Sequence, residues 1–170
     1  FLLKKKNQFQ SLKHASSLII SKFLNYLMRH GNKVLSRKLL ESTFENIKML
    51  QLQRYNAASP EEKQFILLDP KQIFHRAVEN CTPILEIKKI KKGGIFYQVP
   101  VPLTVERSRF LAMNWLIQIA RDKDDNLRYP VSLAKEMIDA ANNKGRVIKR
   151  KHDLHKLCEA NRAYAHFRWM

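Results

Sequence analysis

Residues 84–103, ILEIKKIKKGGIFYQVPVPL, restrict the fold more than any other stretch of the chain. Their aliphatic and aromatic content and the central Gly93-Gly94 pair are those of an antiparallel hairpin. Pro100 and Pro102 have no N–H to give to a ladder, so the second strand must turn those positions away from its partner. Two strands alone are marginally stable in water, so the ribbon needs another surface to lie on. The segments on either side follow a helical period. The predicted fold class is therefore mainly α, a bundle of about six helices with a protruding two-stranded β-ribbon between the third and fourth helices.

The four glycines, Gly31, Gly93, Gly94 and Gly145, fall where the apolar pattern stops. In SSLIISKFLNYLMRHG, Ser16 or Ser17 is an N-cap, Ile20, Phe23, Leu24, Leu27 and Met28 recur at helical spacing, and Gly31 ends the helix. A second helix follows in NKVLSRKLLESTFENIKMLQLQ, with Leu35, Leu39, Phe44 and Ile47 as its apolar face. YNAASPEEKQ, with Pro60, breaks the period and predicts a loop. Asp69 then caps a short third helix with Pro70 at its first position, ending near Pro83.

Beyond the ribbon, Thr104 caps TVERSRFLAMNWLIQIAR. Here Phe110, Leu111, Trp115 and Leu116 form a core face, and Arg107, Asn114, Gln118 and Arg121 a polar one. RDKDDNLRYP is a charged loop. VSLAKEMIDAANNKG gives a fifth helix stopped by Gly145, and KRKHDLHKLCEANRAYAHFRW a basic sixth.

Charge narrows the partners. Lys and Arg number 32 against 15 acidic residues, a net +17 over 170 residues, with pI near 10.1. Such an excess calls for a polyanion: nucleic acid first, because each neutralised phosphate releases counterions, and an anionic membrane surface second. No apolar run approaches the ~20 residues of a bilayer span, so a soluble protein is expected. Phe1 in place of an initiator methionine suggests a processed or truncated chain whose targeting segment cannot be read. Cys81 and Cys158 form no C-x-x-C pair and suit a reducing compartment, although one long-range disulfide is compatible with them.

Each candidate motif has a plainer reading. The lysines 88, 89, 91 and 92 either contact RNA or protect exposed strand edges; the overall charge and a second block, Lys149, Arg150 and Lys151, favour RNA. His152, His155 and Cys158 share a helix face and are possible zinc ligands, but no fourth ligand is near, and ordinary helix residues are the commoner case. No phosphate loop, G-x-S-x-G or H-E-x-x-H occurs, so no catalytic residue, metal or cofactor is expected. Trp115, flanked by Leu111 and Ile119, reads as core. Phe96, on the ribbon, reads equally as a base-stacking platform.

The blocks FLNYLMRHGNK, GGIFYQVPVPL, RFLAMNWLIQIAR and VIKRKHDLHKLCEANRAYAHFRW, in this order, resemble the universal small-subunit ribosomal protein seven family from about Ser16 to Trp169. RYNAASPEEKQFILLDP and VIKRKHDLHK are more similar to the animal mitochondrial form than to the bacterial one. The chain stops at Met170 without the C-terminal extension many bacterial members carry, so contacts of that tail are not transferred.

The resemblance implies a helical bundle with a protruding ribbon that binds the 3′ major domain of small-subunit rRNA and nucleates assembly of the head. It also implies a place beside the exit site, near tRNA and mRNA, among head and platform proteins, in a mitochondrial or other ribosome, with no membrane. It places Lys91, Lys92, Gly93 and Gly94 at the ribbon tip and Lys149, Arg150 and Lys151 at the turn into the last helix. One RNA-binding domain over 1–170 is expected, with 1–15 a basic extension and 84–103 the ribbon arm. Its RNA contacts are expected from Lys4, Lys5, Lys6, Lys33, Arg37, Lys88, Lys89, Lys91, Lys92, Gly93, Gly94, Arg107, Arg109, Lys149, Arg150 and Lys151. The alternatives are a stand-alone basic nucleic-acid-binding regulator and an enzyme using the histidine and cysteine helix.

Overall fold

The computed structural model describes residues 18–123 and 126–169, the side chain of Phe65 apart. Lys4, Lys5 and Lys6, the 1–15 extension and the Ser16 or Ser17 cap lie outside the described residues. The order is α1 (described over 18–27), α2 (Lys33–Ala57), a 3₁₀ turn (Glu62–Phe65), α3 (Pro70–Cys81), β1 (Leu85–Lys92) and β2 (Ile95–Pro102). Then come α4 (Val105–Arg121), α5 (Tyr129–Ala141), α6 (Arg146–Ala160) and a 3₁₀ segment (Arg162–Trp169). The fold is mainly helical with an antiparallel ribbon between α3 and α4, as the sequence implies.

The core gathers around α5, whose Leu133, Ala134, Met137, Ile138 and Ala140 are fully enclosed by α2, α3, α4 and α6. Phe74 of α3 anchors the opposite side, meeting Phe23 edge-on at 5.1 Å and Phe44 at 6.3 Å. Such pairs add about 0.5–1.5 kcal/mol beyond their burial.

On α2 the buried stripe is Ser36, Leu40, Thr43, Ile47 and Gln51. Of the apolar face expected from the sequence, Ile47 is buried, Leu39 and Phe44 flank the stripe, and Leu35 is 51% exposed. The stripe rotates because its hydroxyls are satisfied within the helix: Ser36 Oγ donates to Asn32 O at 3.1 Å and Thr43 Oγ1 to Leu39 O at 2.7 Å. A hydroxyl bonded to its own preceding turn can be buried at little cost.

Three boundaries differ from the sequence reading. α2 continues through Tyr55, Asn56 and Ala57, and the expected loop contains a 3₁₀ turn opened by a reciprocal Ser59–Glu62 capping pair. α5 ends at Ala141 rather than at Gly145. Asn143, at φ 55°, closes it with a Schellman pair, Asn143 N to Ala140 O at 3.1 Å and Lys144 N to Asp139 O at 2.8 Å. Gly145 instead caps the start of α6 at φ 91°, where a Cβ would lie 3.1 Å from that of Asp139. Lastly, the sixth helix stops at Ala160, and residues 162–169 continue as a tighter 3₁₀ segment.

Candidate nucleic-acid interface

The ribbon register pairs Leu85 with Pro102 through to Lys92 with Ile95. Leu103 N donates to Ile84 O at 3.0 Å, making that pair a hydrogen-bonded one. Alternation then places Leu85–Pro102 and Ile87–Pro100 at non-hydrogen-bonded positions, so both prolines direct their missing donor outward, as expected. Gly93 and Gly94, at φ 57° and 85°, form the two-residue connection. Positive φ at both positions is the type I′ requirement.

Alternation also gives the ribbon two unlike faces. One carries Glu86, Ile90 and Lys92 opposite Val101, Tyr97 and Ile95, and it lies on the C-terminal 3₁₀ segment. Tyr97 meets Tyr164 at 5.4 Å and Phe167 at 5.0 Å, and Lys92 Nζ sits 4.4 Å from the Phe167 centroid. The other face, toward the tip, has Lys89, Lys91, Phe96 and Gln98, all exposed, with Lys91 Nζ 5.8 Å from the Phe96 ring. The ribbon therefore draws support from its own chain, and this aromatic clasp went unread in the sequence. The three-residue spacing of Tyr164 and Phe167 in AYAHFRW was the available signal.

The ribbon root is pinned as well. Glu86, its side chain 15% exposed, lies 3.4 Å from Arg107 Nε and 3.6 Å from Lys88 Nζ. Ser108 donates its hydroxyl to Pro83 O. Ile84 N donates to His155 Nε2 at 3.2 Å, which requires a neutral imidazole. Burial lowers the His155 pKa below the usual value, and Lys151 and His152 add to the effect.

The Lys149, Arg150 and Lys151 block lies within the first turns of α6, not in the turn preceding it. Of the three, Lys149 is exposed to solvent, and the other two are engaged within the protein. Arg150 Nη1 donates to Gln118 Oε1 at 3.1 Å, its guanidinium 5.5 Å from the ring of Trp115, itself 7% exposed. Lys151 Nζ donates to Asn80 O at 2.7 Å, at the C-terminal end of α3, where the helix dipole favours a cation. Lys33 and Arg37 are exposed on the opening turns of α2, and Arg109 is exposed on α4.

The possible zinc ligands do not converge. His155 is occupied by Ile84 N, Cys158 is buried with its thiol pKa raised by burial, and His152 is exposed. Among the described residues no group of three or more His, Cys, Asp or Glu side chains is arranged to hold a metal, and no helix is long and apolar enough to cross a membrane. Both cysteines are free; burial raises the pKa of Cys81 to about 12.

The family model described as ribosomal protein S7p/S5e matches residues 2–162. The chain is 52% identical over 148 residues to the small ribosomal subunit protein uS7m of Drosophila melanogaster, covering 87% of this chain and 67% of that one. It is 52% identical over 155 residues to uS7m of Gallus gallus, covering 91% and 66%. Against uS7 of the bacterium Mycoplasmopsis synoviae it is 40% identical over 154 residues, covering 91% and 88%. The chain thus spans about two thirds of the length of the animal relatives it matches. With a family model covering nearly all of its length and the bundle and ribbon in the order the motifs require, the chain belongs to the ribosomal protein S7p/S5e family.

Proposed function

We propose that this protein is a structural constituent of the small ribosomal subunit that holds rRNA by a distributed set of phosphate contacts and performs no catalysis. The observation that carries the reading is the unequal ribbon. Its clasped face and pinned root hold it in place, while Lys89, Lys91, Phe96 and Gln98 remain open on the other face. A rigid arm with a basic, aromatic open face suits single-stranded or irregular RNA. Lys33, Arg37, Arg109 and Lys149 add exposed cations on three helices, and Lys88, Lys92 and Arg107 supply charge along the ribbon and its root.

The finer assignments belong to the same proposal. The chain acts as one RNA-binding domain. It takes the 3′ major domain of small-subunit rRNA, seeds the head, and presents the Gly93-Gly94 tip to exit-site tRNA and mRNA beside head and platform proteins. Similarity to the animal uS7m proteins supports a place in the mitochondrial ribosome. Co-sedimentation with small subunits at high salt is the expected result. Free migration with salt-sensitive binding to unrelated RNA and DNA would favour the stand-alone regulator.

A further inference from the structure

The charge of the chain is unevenly placed. From Glu41 to Asp69 there are five acids, Glu41, Glu45, Glu61, Glu62 and Asp69, against three bases, Lys48, Arg54 and Lys63, a net −2 within a total of +17. All five acids are exposed, and among the described residues neither Glu41 nor Glu45 forms an ion pair. The core side of α2 is Ser36, Leu40, Thr43, Ile47 and Gln51. At roughly 100° per residue, Glu41, Glu45, Met49 and Leu52 fall within about 80° of one another on the side away from that core. Met49 is 59% exposed and Leu52 49%, so the outward face carries two large apolar side chains directly after two carboxylates. Of the three bases, Arg54 leaves the helix on the opposite side from this stripe. Lys63 Nζ lies 5.4 Å from the Tyr55 ring, which folds the Glu61–Glu62 turn back along the end of α2. Lys48 shares the stripe, and Lys38 bounds it one turn before Glu41.

We propose that the outward face of α2 from Glu41 to Leu52 docks a lysine- or arginine-rich amphipathic segment of another protein. Charge complementarity carries the choice of occupant. Unpaired carboxylates repel a polyphosphate and attract a basic chain, so this face suits a different partner from the one that the remainder of the molecule, with its excess of cations, calls for. Glu41 and Glu45 stand one turn apart, ~5–6 Å, the spacing at which an opposing helix presents cations at i and i+4. Met49 and Leu52 extend the same stripe with apolar surface, and the thioether of Met49 adapts to the shape of what it meets. Single exposed apolar residues are ordinary on a protein surface; here two adjoin paired carboxylates on one helix face, the pattern by which an amphipathic helix is gripped along one side. The Glu61–Glu62 turn, held against the end of α2, adds negative charge at the far end of the stripe.

The test compares the full chain with Glu41→Gln/Glu45→Gln and Met49→Ser/Leu52→Ser, all at exposed positions. The probes are a fluorescent synthetic helix of leucine and lysine at helical spacing and a leucine–glutamate peptide of the same pattern. The leucine–lysine peptide should bind the wild type and lose about tenfold in affinity with each double variant, while melting and affinity for an rRNA transcript stay at wild-type values. In small subunits containing the chain, a zero-length carbodiimide should join Glu41 or Glu45 to a lysine of another protein. Equal binding of the leucine–lysine peptide to wild type and variants would overturn the proposal, as would equal binding of the leucine–glutamate peptide. A photoreactive residue in place of Met49 that crosslinks to nucleotides in the subunit would assign the face to RNA instead. Self-association of the free chain, abolished by Glu41→Gln/Glu45→Gln, would assign it to a second copy. Failure of the chain to sediment with small subunits would overturn the proposed function and leave the peptide titration to decide the docking face.

Discussion

The ribbon tip and the start of α6 both carry dense basic runs, yet they are built differently. At the tip, Lys89 and Lys91 stand in solvent on the open ribbon face, where Phe96 is 67% exposed. At the start of α6, Lys151 binds the last turn of α3, Arg150 is exposed yet lies over Trp115 and bonds Gln118, and Lys149 stands in solvent. Equal charge density in the sequence therefore does not mean equal availability. Lys89 and Lys91 stand open to an anion, and the α6 run is largely committed to holding helices together.

Substitutions should separate the two in order of effect. Trp115→Ala, under the α6 cluster, should destabilise the bundle by about 3–5 kcal/mol in chemical denaturation; stability equal to wild type would free Arg150 and Trp115 for RNA. Lys151→Ala leaves the Asn80 carbonyl without its charged donor and should cost about 1–2 kcal/mol, whereas Lys149→Ala should change stability by less than about 0.5 kcal/mol. Equal effects at the two positions would erase the distinction drawn within the cluster.

The third test is pH. The folded pKa values of His155 and His75 are both lowered, chiefly by burial, so the unfolded chain takes up protons first. Their contribution to stability is complete above the unfolded value of about 6.5 and is lost as pH falls through the lower folded values. Tm should drop below pH 6.5, and His155→Gln, which keeps an acceptor for Ile84 N, should shrink the drop. A Tm that rises on acidification would contradict the neutral His155 at the ribbon root. Smallest in stability is Lys89→Ala/Lys91→Ala, expected to leave melting within about 0.5 kcal/mol of wild type but to flatten the salt slope of rRNA binding by about two units. Altered melting with an unchanged slope would make the tip lysines structural and reverse the comparison.

The architecture was legible because its signals are local. Asp69-Pro70, Thr104 and Gly93-Gly94 each specify their own element, and the side chains of Asp69 and Thr104 do cap α3 and α4. What escaped depends on distance in the sequence or on competition between neighbours. Asn143 took the left-handed position two residues before the glycine that seemed made for it. Thr43 and Ser36 displaced Leu35 from the core because their hydroxyls bond within the helix. The exposure of Lys89 and Lys91 on one ribbon face could be read from alternation alone. The commitment of Lys151 to Asn80, 71 residues away in sequence, could not.

The pinned root makes the ribbon a lever. Each strand holds 8 residues, so the turn stands ~26 Å from its fulcrum at a rise of ~3.3 Å per residue. A tilt of ~5° at the root then swings the tip by ~2 Å, enough to make or break a contact with a phosphate or base. The placement of the tip is thus set at both ends of the arm, at the root by Ser108 on Pro83, Arg107 on Glu86 and His155 on Ile84, and nearer the turn by Tyr97 and Lys92 on Phe167. Side chains that need touch no RNA set the angle at which the arm meets it.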